Sequence, residues 1–409
     1  MKGKLAIAMF GQKRLSREGG IEIVVKELCT RMTQNGYKVT CYNRSGHHVS
    51  GAEYDRKTEY EGICQKYVPT IEKKGLAAVS SSFFAALYSA FGKYDVVHIH
   101  AEGPAFFAWL PKLFGKRVIV TIHGIDWQRE KWKSGFGSKF IRQGEKNAVK
   151  YADEIIVLSK GVQDYFKNTY GRETRFIPNG VNRPSIRKAK LITEQYGLTK
   201  DSYVLFLGRV VPEKGIRYLV EAFKDVKTDK KLIIAGGSSD TDSFMKEVKE
   251  LAKDDDRITF TGFVQEQLLD ELYSNSYIYT LPSDLEGMPL SLLEAMSYGN
   301  CCLVSNIPEC AEVVEDKAVI FEKANVDDFE EKMFHIIRAF HVAGRCTDCG
   351  ECSRVCPQGI PLHLFNRKFI KDIDKFYGEY QAGEDTTSKG PLTNFTFEDV
   401  EPGIVAERG

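Results

Sequence analysis

Tyr203-Val-Leu-Phe-Leu-Gly-Arg-Val-Val-Pro-Glu-Lys-Gly215 has a pattern that recurs along the chain: an apolar run ends at a glycine and passes into a polar loop. Short, uninterrupted apolar runs separated by segments of helix length are typical of parallel strands that helices cover on both faces. The runs that we predict as strands form two series: first 5–10, 38–42, 96–100, 118–123 and 154–159, then 203–207, 232–235, 258–260, 277–281, 302–305 and 319–321. Two such series, joined near 177–181, predict an α/β protein with two doubly wound domains in tandem.

The composition excludes several classes of protein. Of 409 residues, 43% are apolar and 28% charged, which is ordinary for a globular protein and excludes fully disordered, collagen-like and multi-span membrane chains. The formal net charge of +1 gives no global basic field for nucleic acid, so any anion site must be built locally. The first ten residues are too weakly apolar for a secretory signal, which predicts a cytoplasmic protein.

The chain divides by texture into three parts. We predict Rossmann-like domains at 1–182 and 183–338, facing each other across a cleft, and a cysteine-rich segment with an irregular polar tail at 339–409. Ligands of doubly wound sheets bind at the carboxyl ends of strands, and paired domains offer a cleft. Residues just after predicted strands are therefore the first candidates for function.

Two loops in such positions suit a phosphate. Gly19 and Gly20 precede a predicted helix at 21–35, where close backbone approach and a helix amino terminus favour an anion, although an ordinary turn would use the same residues. Arg209 and Lys214 follow the strand at 203–207 and are placed to bracket a diphosphate. The alternative for this pair is two solvated surface cations.

The most specific motif of the two domains is 286–299, Glu-Gly-Met-Pro-Leu-Ser-Leu-Leu-Glu-Ala-Met-Ser-Tyr-Gly. Proline suits the first turn of a helix, and Gly299 suits its carboxyl cap. Glu286 and Glu294 are suited to accept hydrogen bonds from sugar hydroxyls while N–H groups of the helix start hold phosphate oxygens. The alternative is a solvated helix residue and a charge favoured near the helix start. The helix start comprises Gly287, Met288, Pro289 and Leu290.

Three histidines also follow or end predicted strands. His98 and His100 share one strand face, so we expect at most one of them to reach the cleft. His123 ends the run at 118–123. Hydrogen-bonded structural histidines are the common alternative for all three.

Taken together, these residues resemble family 4 of the retaining glycosyltransferases, which have the GT-B fold of two Rossmann-like domains. The likeness covers about 4–337, and bacterial surface-polysaccharide rhamnosyltransferases are similar at 17–27, 95–104, 123–132 and 177–182. The resemblance implies transfer of a hexosyl group, with rhamnosyl as one candidate, from a nucleoside diphosphate sugar to a hydroxyl acceptor. It also implies that the reaction retains the anomeric configuration and needs no divalent metal. It implies surface polysaccharide or glycolipid synthesis, with 1–182 on the acceptor side and 183–338 on the donor side.

The resemblance also implies residue roles. Arg209 and Lys214 match the pair that neutralises the donor diphosphate, Glu294 the ribose-binding glutamate, and Glu286 the glutamate at the donor sugar. His100 looks like the histidine near the reacting sugar. The other donor-binding positions implied are Gly19, Gly20, His123, Gly262, Phe263, Val264 and residues 287–290, with Gly262 to Val264 bordering the base.

The resemblance further implies a glycan or lipid-linked glycan acceptor, and the net charge of +1 predicts no nucleic acid partner. A lipid-linked acceptor predicts peripheral contact with the inner face of the membrane. Residues 73–79 with Phe83, Phe84 and Phe91 offer an interfacial face, and a core helix is the alternative.

Cysteines in the carboxyl-terminal part fit a different chemistry. Residues 346–357, Cys-Thr-Asp-Cys-Gly-Glu-Cys-Ser-Arg-Val-Cys-Pro, fit the C-x2-C-x2-C-x3-C-P run of iron–sulfur proteins, with zinc as the chemical alternative. The segment resembles a ferredoxin-type module and implies a 4Fe–4S cluster and a redox partner, but no second run supplies a partner cluster. The predicted ligands are Cys346, Cys349, Cys352 and Cys356.

This segment leaves a second hypothesis for the chain. The protein is then an iron–sulfur electron-transfer protein, or a fusion in which a truncated transferase is joined to an unrelated reading frame. Glycosyl transfer needs no electron, which favours the joined frames over a functional fusion.

Overall fold

The structure is a computed structural model. It describes residues 4–17, 19–45, 57–73, 75–128, 135–238 and 242–342, together with Arg354. The strands and helices that it describes form two α/β units, each built on one sheet.

The first unit is an eight-stranded sheet in the order β3-β4-β2-β1-β5-β6-β7-β8. All neighbours are parallel except β3 and β4. Its strands are β1 (Ala6–Phe10), β2 (Lys38–Arg44), β3 (Glu59–Tyr60), β4 (Ile63–Val68), β5 (Val96–His100), β6 (Arg117–Ile122), β7 (Glu154–Val157) and β8 (Arg175–Phe176). Its helices are α1 (Gly20–Gln34), α2 (Leu76–Phe91), α3 (Glu102–Ala105), α4 (Trp109–Leu113), α5 (Phe136–Tyr151) and α6 (Lys160–Tyr170).

The second unit is a six-stranded parallel sheet in the order β11-β10-β9-β12-β13-β14. Its strands are β9 (Tyr203–Leu207), β10 (Lys231–Ala235), β11 (Ile258–Gly262), β12 (Ile278–Leu281), β13 (Cys301–Ser305) and β14 (Val319–Phe321). Its helices are α7 (Leu191–Tyr196), α8 (Ile216–Asp225), α9 (Asp242–Ala252), α10 (Glu266–Asn275), α11 (Leu290–Ser297), α12 (Pro308–Val314) and α13 (Val326–Val342).

Each sheet reverses its strand order once. In the first sheet β1 pairs with both β2 and β5, and in the second β9 pairs with both β10 and β12. Loops that leave adjacent strands at such a switch point diverge to opposite faces and open a crevice at the carboxyl edge. The loops after β1 and β5 in the first sheet, and after β9 and β12 in the second, are therefore the ones placed to hold a ligand.

The predicted strands are confirmed, with ends shifted by one or two residues, and the helix predicted at 21–35 is α1. Three strands were not predicted, namely β3, β4 and β8. The sequence of β4 is Ile-Cys-Gln-Lys-Tyr-Val, in which polar residues interrupt the apolar run because only part of this strand is buried. Each sheet has its own apolar core, and α13 adds Phe329 and Met333 to the second one. None of the helices in the described ranges combines the length and apolarity needed to cross a bilayer.

Candidate functional site

Loops from the two units meet at a pair of glycines. A Cβ atom added to Gly287 would lie 1.6 Å from the carbonyl oxygen of His123, and the φ of Gly124 is +138°. A Cβ atom on Gly124 would lie 3.0 Å from the Cα atom of Gly287. The loop after β6 therefore touches the loop after β12, and it can do so only because neither glycine carries a side chain.

A second contact joins the glycine loop before α1 to the start of α11. Gly20 begins α1, and a Cβ atom there would lie 3.7 Å from Cδ1 of Leu290, the first residue of α11. The backbone N–H of Asn179 also donates to Sδ of Met288 at 3.0 Å. The starts of α1 and α11 therefore face the same gap, and each presents first-turn N–H groups that lack partners within its own helix.

Lys214 and Glu286 form an ion pair, although 72 positions separate them in the chain. Lys214 follows β9 and Glu286 follows β12, which are adjacent strands at the switch point. The hydroxyl of Ser283 donates to the same Glu286 oxygen at 2.6 Å. The two charged side chains are only 12% and 10% exposed, so they are held in place at the edge of the sheet. Arg209, predicted to act with Lys214, lies at the end of β9 and is exposed.

Glu294 lies in the middle of α11 and accepts a hydrogen bond from the Tyr273 hydroxyl at 3.0 Å. Burial raises the pKa of the Glu294 carboxyl, against the opposing effects of Tyr273 and the positive charge of Arg17. Arg17 belongs to the first unit, so this carboxylate feels charge from across the gap. Pro289 is the N-cap of α11 rather than part of its first turn, and Gly299 follows the helix with a φ of +79°.

The predicted base-binding residues lie at the end of β11. A Cβ atom on Gly237 would be 4.0 Å from Cβ of Phe263, so Phe263 stands beside the loop that follows β10. The N–H of Gly236 donates to the carbonyl of Gly262 at 2.8 Å, which joins the two loops. Val264 is buried within the apolar core of the second unit. Of this trio, Gly262 and Phe263 are the more exposed to a ligand.

The three histidines form one contiguous group on the first sheet. Nδ1 of His100 is 3.0 Å from Nε2 of His123, and Nε2 of His100 is 3.1 Å from Sδ of Met9. His98 stacks on His100 with ring centroids 4.3 Å apart, and its Nε2 is 2.7 Å from the Thr121 hydroxyl. Burial lowers the pKa of His98 to about 3 and that of His100 well below its usual value. The rings of His98 and His100 are therefore neutral at physiological pH.

His98 and His100 are both buried, so neither ring reaches the gap directly. His100 contacts His123, whose carbonyl touches the loop of the second unit, and His98 packs against Thr121 inside the sheet. His100 itself is only 1% exposed, so His123 stands between it and the gap.

Several neighbours of the site were not predicted from sequence. Ser283 is only three residues before Glu286, so its contact with that carboxylate could have been predicted from the local sequence. Tyr273 is 21 positions from Glu294, on α10, and gives no local signal of this contact. Arg17 is paired with Glu27 at 3.8 Å and marks the edge of the glycine loop.

Cys346, Cys349, Cys352 and Cys356 all lie outside the described residues, so the iron–sulfur cluster stays a prediction. The six cysteines within the described ranges are free thiols. The same ranges contain no group of three or more His, Cys, Asp or Glu side chains arranged to hold a metal ion.

Two family models match the chain, one on each unit. Residues 18–183 match the model described as Glycosyltransferase Family 4, and residues 189–342 match the model described as Glycosyl transferases group 1. Together the two models cover Gly20, Gly287 and Glu294.

Curated relatives align with part of the chain. The O-antigen chain mannosyltransferase B of Escherichia coli is 29% identical over 140 residues, which is 33% of this chain and 37% of the relative. An Escherichia coli enzyme named UDP-Gal:alpha-D-GlcNAc-diphosphoundecaprenol alpha-1,3-galactosyltransferase is 31% identical over 169 residues, or 37% and 42% of the two chains. The chain thus spans less than half the length of either relative.

Solved structures match almost the whole chain. Sucrose-phosphate synthase from Thermosynechococcus elongatus aligns with a TM-score of 0.69 and 18% identity, covering 91% of this chain and 95% of that one. The Anabaena protein HepE, solved in complex with UDP-glucose, aligns with a TM-score of 0.65 and 15% identity over the same shares. At these identities the likeness is one of fold.

Proposed function

We propose that this chain, an enzyme of the glycosyltransferase class with the GT-B fold, transfers a hexosyl group from a nucleoside diphosphate sugar to a hydroxyl acceptor. The observation that carries the proposal is the meeting of both units' loops at one gap, where helix starts and the Lys214–Glu286 pair lie together. The names of the matched families and relatives support the class.

The chemistry that this gap suits is departure of a diphosphate. The bond between the anomeric carbon and the phosphate oxygen breaks, and the acceptor oxygen bonds to the same carbon on the same face, which retains its configuration. The acceptor proton passes to the departing phosphate oxygen. Arg209, Lys214 and the N–H groups at the starts of α1 and α11 are proposed to stabilise the negative charge that grows on the diphosphate, each such contact being worth about 3 kcal/mol. We propose that these groups make the transfer independent of a divalent metal.

The two glutamates hold the rest of the donor. Glu294, positioned by Tyr273, is proposed to accept hydrogen bonds from the ribose hydroxyls. Glu286, held by Ser283 and Lys214, is proposed to contact the donor sugar. A carboxylate that is already hydrogen-bonded by the protein is fixed before the donor arrives, which reduces the entropy lost on binding. We propose Gly262 and Phe263 as the border of the base.

Relatives named as O-antigen mannosyltransferase and diphosphoundecaprenol galactosyltransferase support a role in bacterial surface polysaccharide synthesis. The proposed donors are therefore nucleoside diphosphate hexoses, and the resemblance to rhamnosyltransferases adds rhamnose to the candidate sugars. The proposed acceptor is a glycan or a lipid-linked glycan.

A lipid-linked acceptor agrees with one surface of the first unit. The buried face of α2 consists of small residues, whereas Phe91 is 67% exposed. Its ring lies 4.4 Å from that of Phe114, beside Leu113, which is 73% exposed. We propose that these three side chains, flanked by the exposed Lys93, form an interfacial patch that contacts an anionic membrane surface.

The test is a donor panel with a matched pair of variants. The full chain is titrated calorimetrically with UDP-, GDP- and dTDP-hexoses and then assayed for donor consumption. Glu294→Gln is expected to weaken the binding of the accepted donor about tenfold, because glutamine keeps an acceptor oxygen but loses the negative charge, which is worth about 1.4 kcal/mol in such hydrogen bonds. Glu221→Gln, an exposed change on α8, is the control. Absence of binding by every donor, or equal donor affinity of Glu294→Gln and wild type, contradicts the proposal.

A further inference from the structure

Two buried glutamates lie directly behind the His100–His123 pair. Glu102 is the first residue of α3, two positions after His100, and is fully buried. Glu145 lies on α5 and is 1% exposed. None of the roles proposed above uses either carboxyl group, and burial of two unneutralised carboxylates would be very costly.

The partners of the two carboxyl groups differ in kind. Glu145 accepts from three donors: the hydroxyls of Tyr165 and Tyr170 at Oε1, the first at 2.9 Å, and Nε1 of Trp127 at Oε2, at 3.1 Å. Oε2 of Glu102 accepts the backbone N–H of Asp126 at 2.9 Å. Oε1 of Glu102 is buried and has no hydrogen-bond partner among the described residues.

These contacts place one proton in the pair. Both oxygens of Glu145 already accept hydrogen bonds, whereas Oε1 of Glu102 has no partner, so the proton is best accommodated on Glu102. Burial, together with the charges of Asp126 and Glu145, raises the pKa of Glu102 well above its ordinary value of 4.5. A proton on Oε1 of Glu102 gives the otherwise unpartnered atom a donor function toward Glu145 and removes the charge repulsion.

We infer that Glu102, in its neutral form, is a positioning residue for the transfer reaction. Its hydrogen bond to the Asp126 N–H connects the loop after β5 to the loop after β6, close to the contact between His100 and His123. The loop after β6 carries His123 and Gly124, which touch Gly287 of the second unit. Glu102 holds this loop at the Asp126 N–H, and Glu145 holds it at the Trp127 indole. The effect on the transfer reaction rests on the proposed function, whereas the protonation of Glu102 does not.

The backbone around Glu102 fixes it in this place. Ala101, between His100 and Glu102, has a φ of +75°, which is strained for a residue with a side chain. A Cβ atom on Gly144 would lie 2.0 Å from the Glu102 carbonyl oxygen, so α5 touches α3 next to Glu145. This close packing holds the Glu102 backbone against α5, where its side chain is fully buried.

A dependence on pH follows from the groups that face Glu102. These are Glu145 on α5, Asp126 in the loop after β6 and Tyr165 on α6; α2, which also packs on α3, carries no charged residue. The pKa of Glu102 is raised in the folded protein, so the stability that its proton contributes is present at low pH and is lost as pH rises through the folded pKa. Loss of that proton sets two buried anions side by side and releases the loop.

The test compares Glu102→Gln with Glu102→Leu in the full chain. Glutamine keeps an acceptor for the Asp126 N–H and a donor toward Glu145 but has no proton to lose, whereas leucine loses both bonds. We expect Glu102→Leu to lower kcat about 100-fold, since small misplacements cost rates of this order. We expect Glu102→Gln to have a kcat close to that of wild type. In wild type we expect kcat to fall at high pH as Glu102 loses its proton, and Glu102→Gln should not show this fall.

The melting temperature measured against pH tests the shared proton without an activity assay. As pH rises above 4.5, the ordinary pKa of this carboxyl, wild type is expected to lose more thermal stability than Glu102→Gln, and the exposed variant Glu221→Gln is expected to follow wild type. The inference would be overturned if the melting temperatures of wild type and Glu102→Gln changed equally with pH. This comparison does not need Glu102→Leu, so it remains decisive even if that variant does not fold. A Glu102→Gln variant as slow as Glu102→Leu would also overturn it. Failure of every donor in the wild type would instead count against the proposed function alone.

Discussion

Replacing Gly287 by alanine tests whether contact between the two units is needed for transfer. The added Cβ atom would lie 1.6 Å from the His123 carbonyl oxygen, whereas carbon and oxygen normally approach to about 3.3 Å. The loops after β6 and β12 must then part by roughly 1.7 Å, the difference between these two distances. Both loops leave well-packed sheets, so the strain is relieved by moving the units apart rather than by compressing either core.

Displacement of this size is expected to reduce kcat/KM about 100-fold, because misplacement of reacting groups by 1 Å costs about that much. The loss corresponds to about 2.7 kcal/mol of transition-state stabilisation. The melting temperature should change little, since each sheet keeps its own core.

The assay is initial-rate kinetics with the donor identified by calorimetry, beside thermal unfolding of the same samples. Gly161→Ala is the matched control, because it adds the same methyl group on α6 where nothing lies within 4 Å. A Gly287→Ala enzyme with kcat/KM within threefold of the control would refute the role given to this contact.

Three further results are expected. Tyr273→Phe removes the 3.0 Å hydrogen bond to Glu294 and should raise the donor dissociation constant, measured by calorimetry, about fivefold. Tyr277→Phe is the control for loss of a buried hydroxyl, and equal donor affinities of the two variants would contradict the role of Tyr273. Phe91→Asp should reduce cosedimentation with anionic vesicles and leave donor hydrolysis unchanged, and full retention on vesicles would remove the interfacial patch from consideration. Anaerobically purified protein should contain iron and acid-labile sulfide that Cys349→Ser loses; a metal-free wild type, or one that holds zinc, would show the cluster prediction to be wrong.

Some features of the site were accessible because they are local. Each of these features is encoded within about ten residues: glycines before a helix, a proline and a glycine at the two ends of a helix, and a basic loop after an apolar strand. Accordingly, α1, α11 and the loop after β9 appear where they were predicted. Other features depend on distant segments. Burial of His100 beneath His123 follows from the pairing of β5 with β6, and the Glu102–Glu145 pair depends on the packing of α3 against α5.

The sequence by itself determined the alternation of strands and helices, the two-unit architecture and the loops that carry the candidate residues, because hydrophobic periodicity and capping act over a few residues. Only the tertiary structure decided which of these residues meet. Lys214 pairs with Glu286, and Gly124 lies against Gly287, because strand order and the approach of two separate cores bring distant loops together. Those contacts arise from packing between elements, which no local pattern of residues encodes.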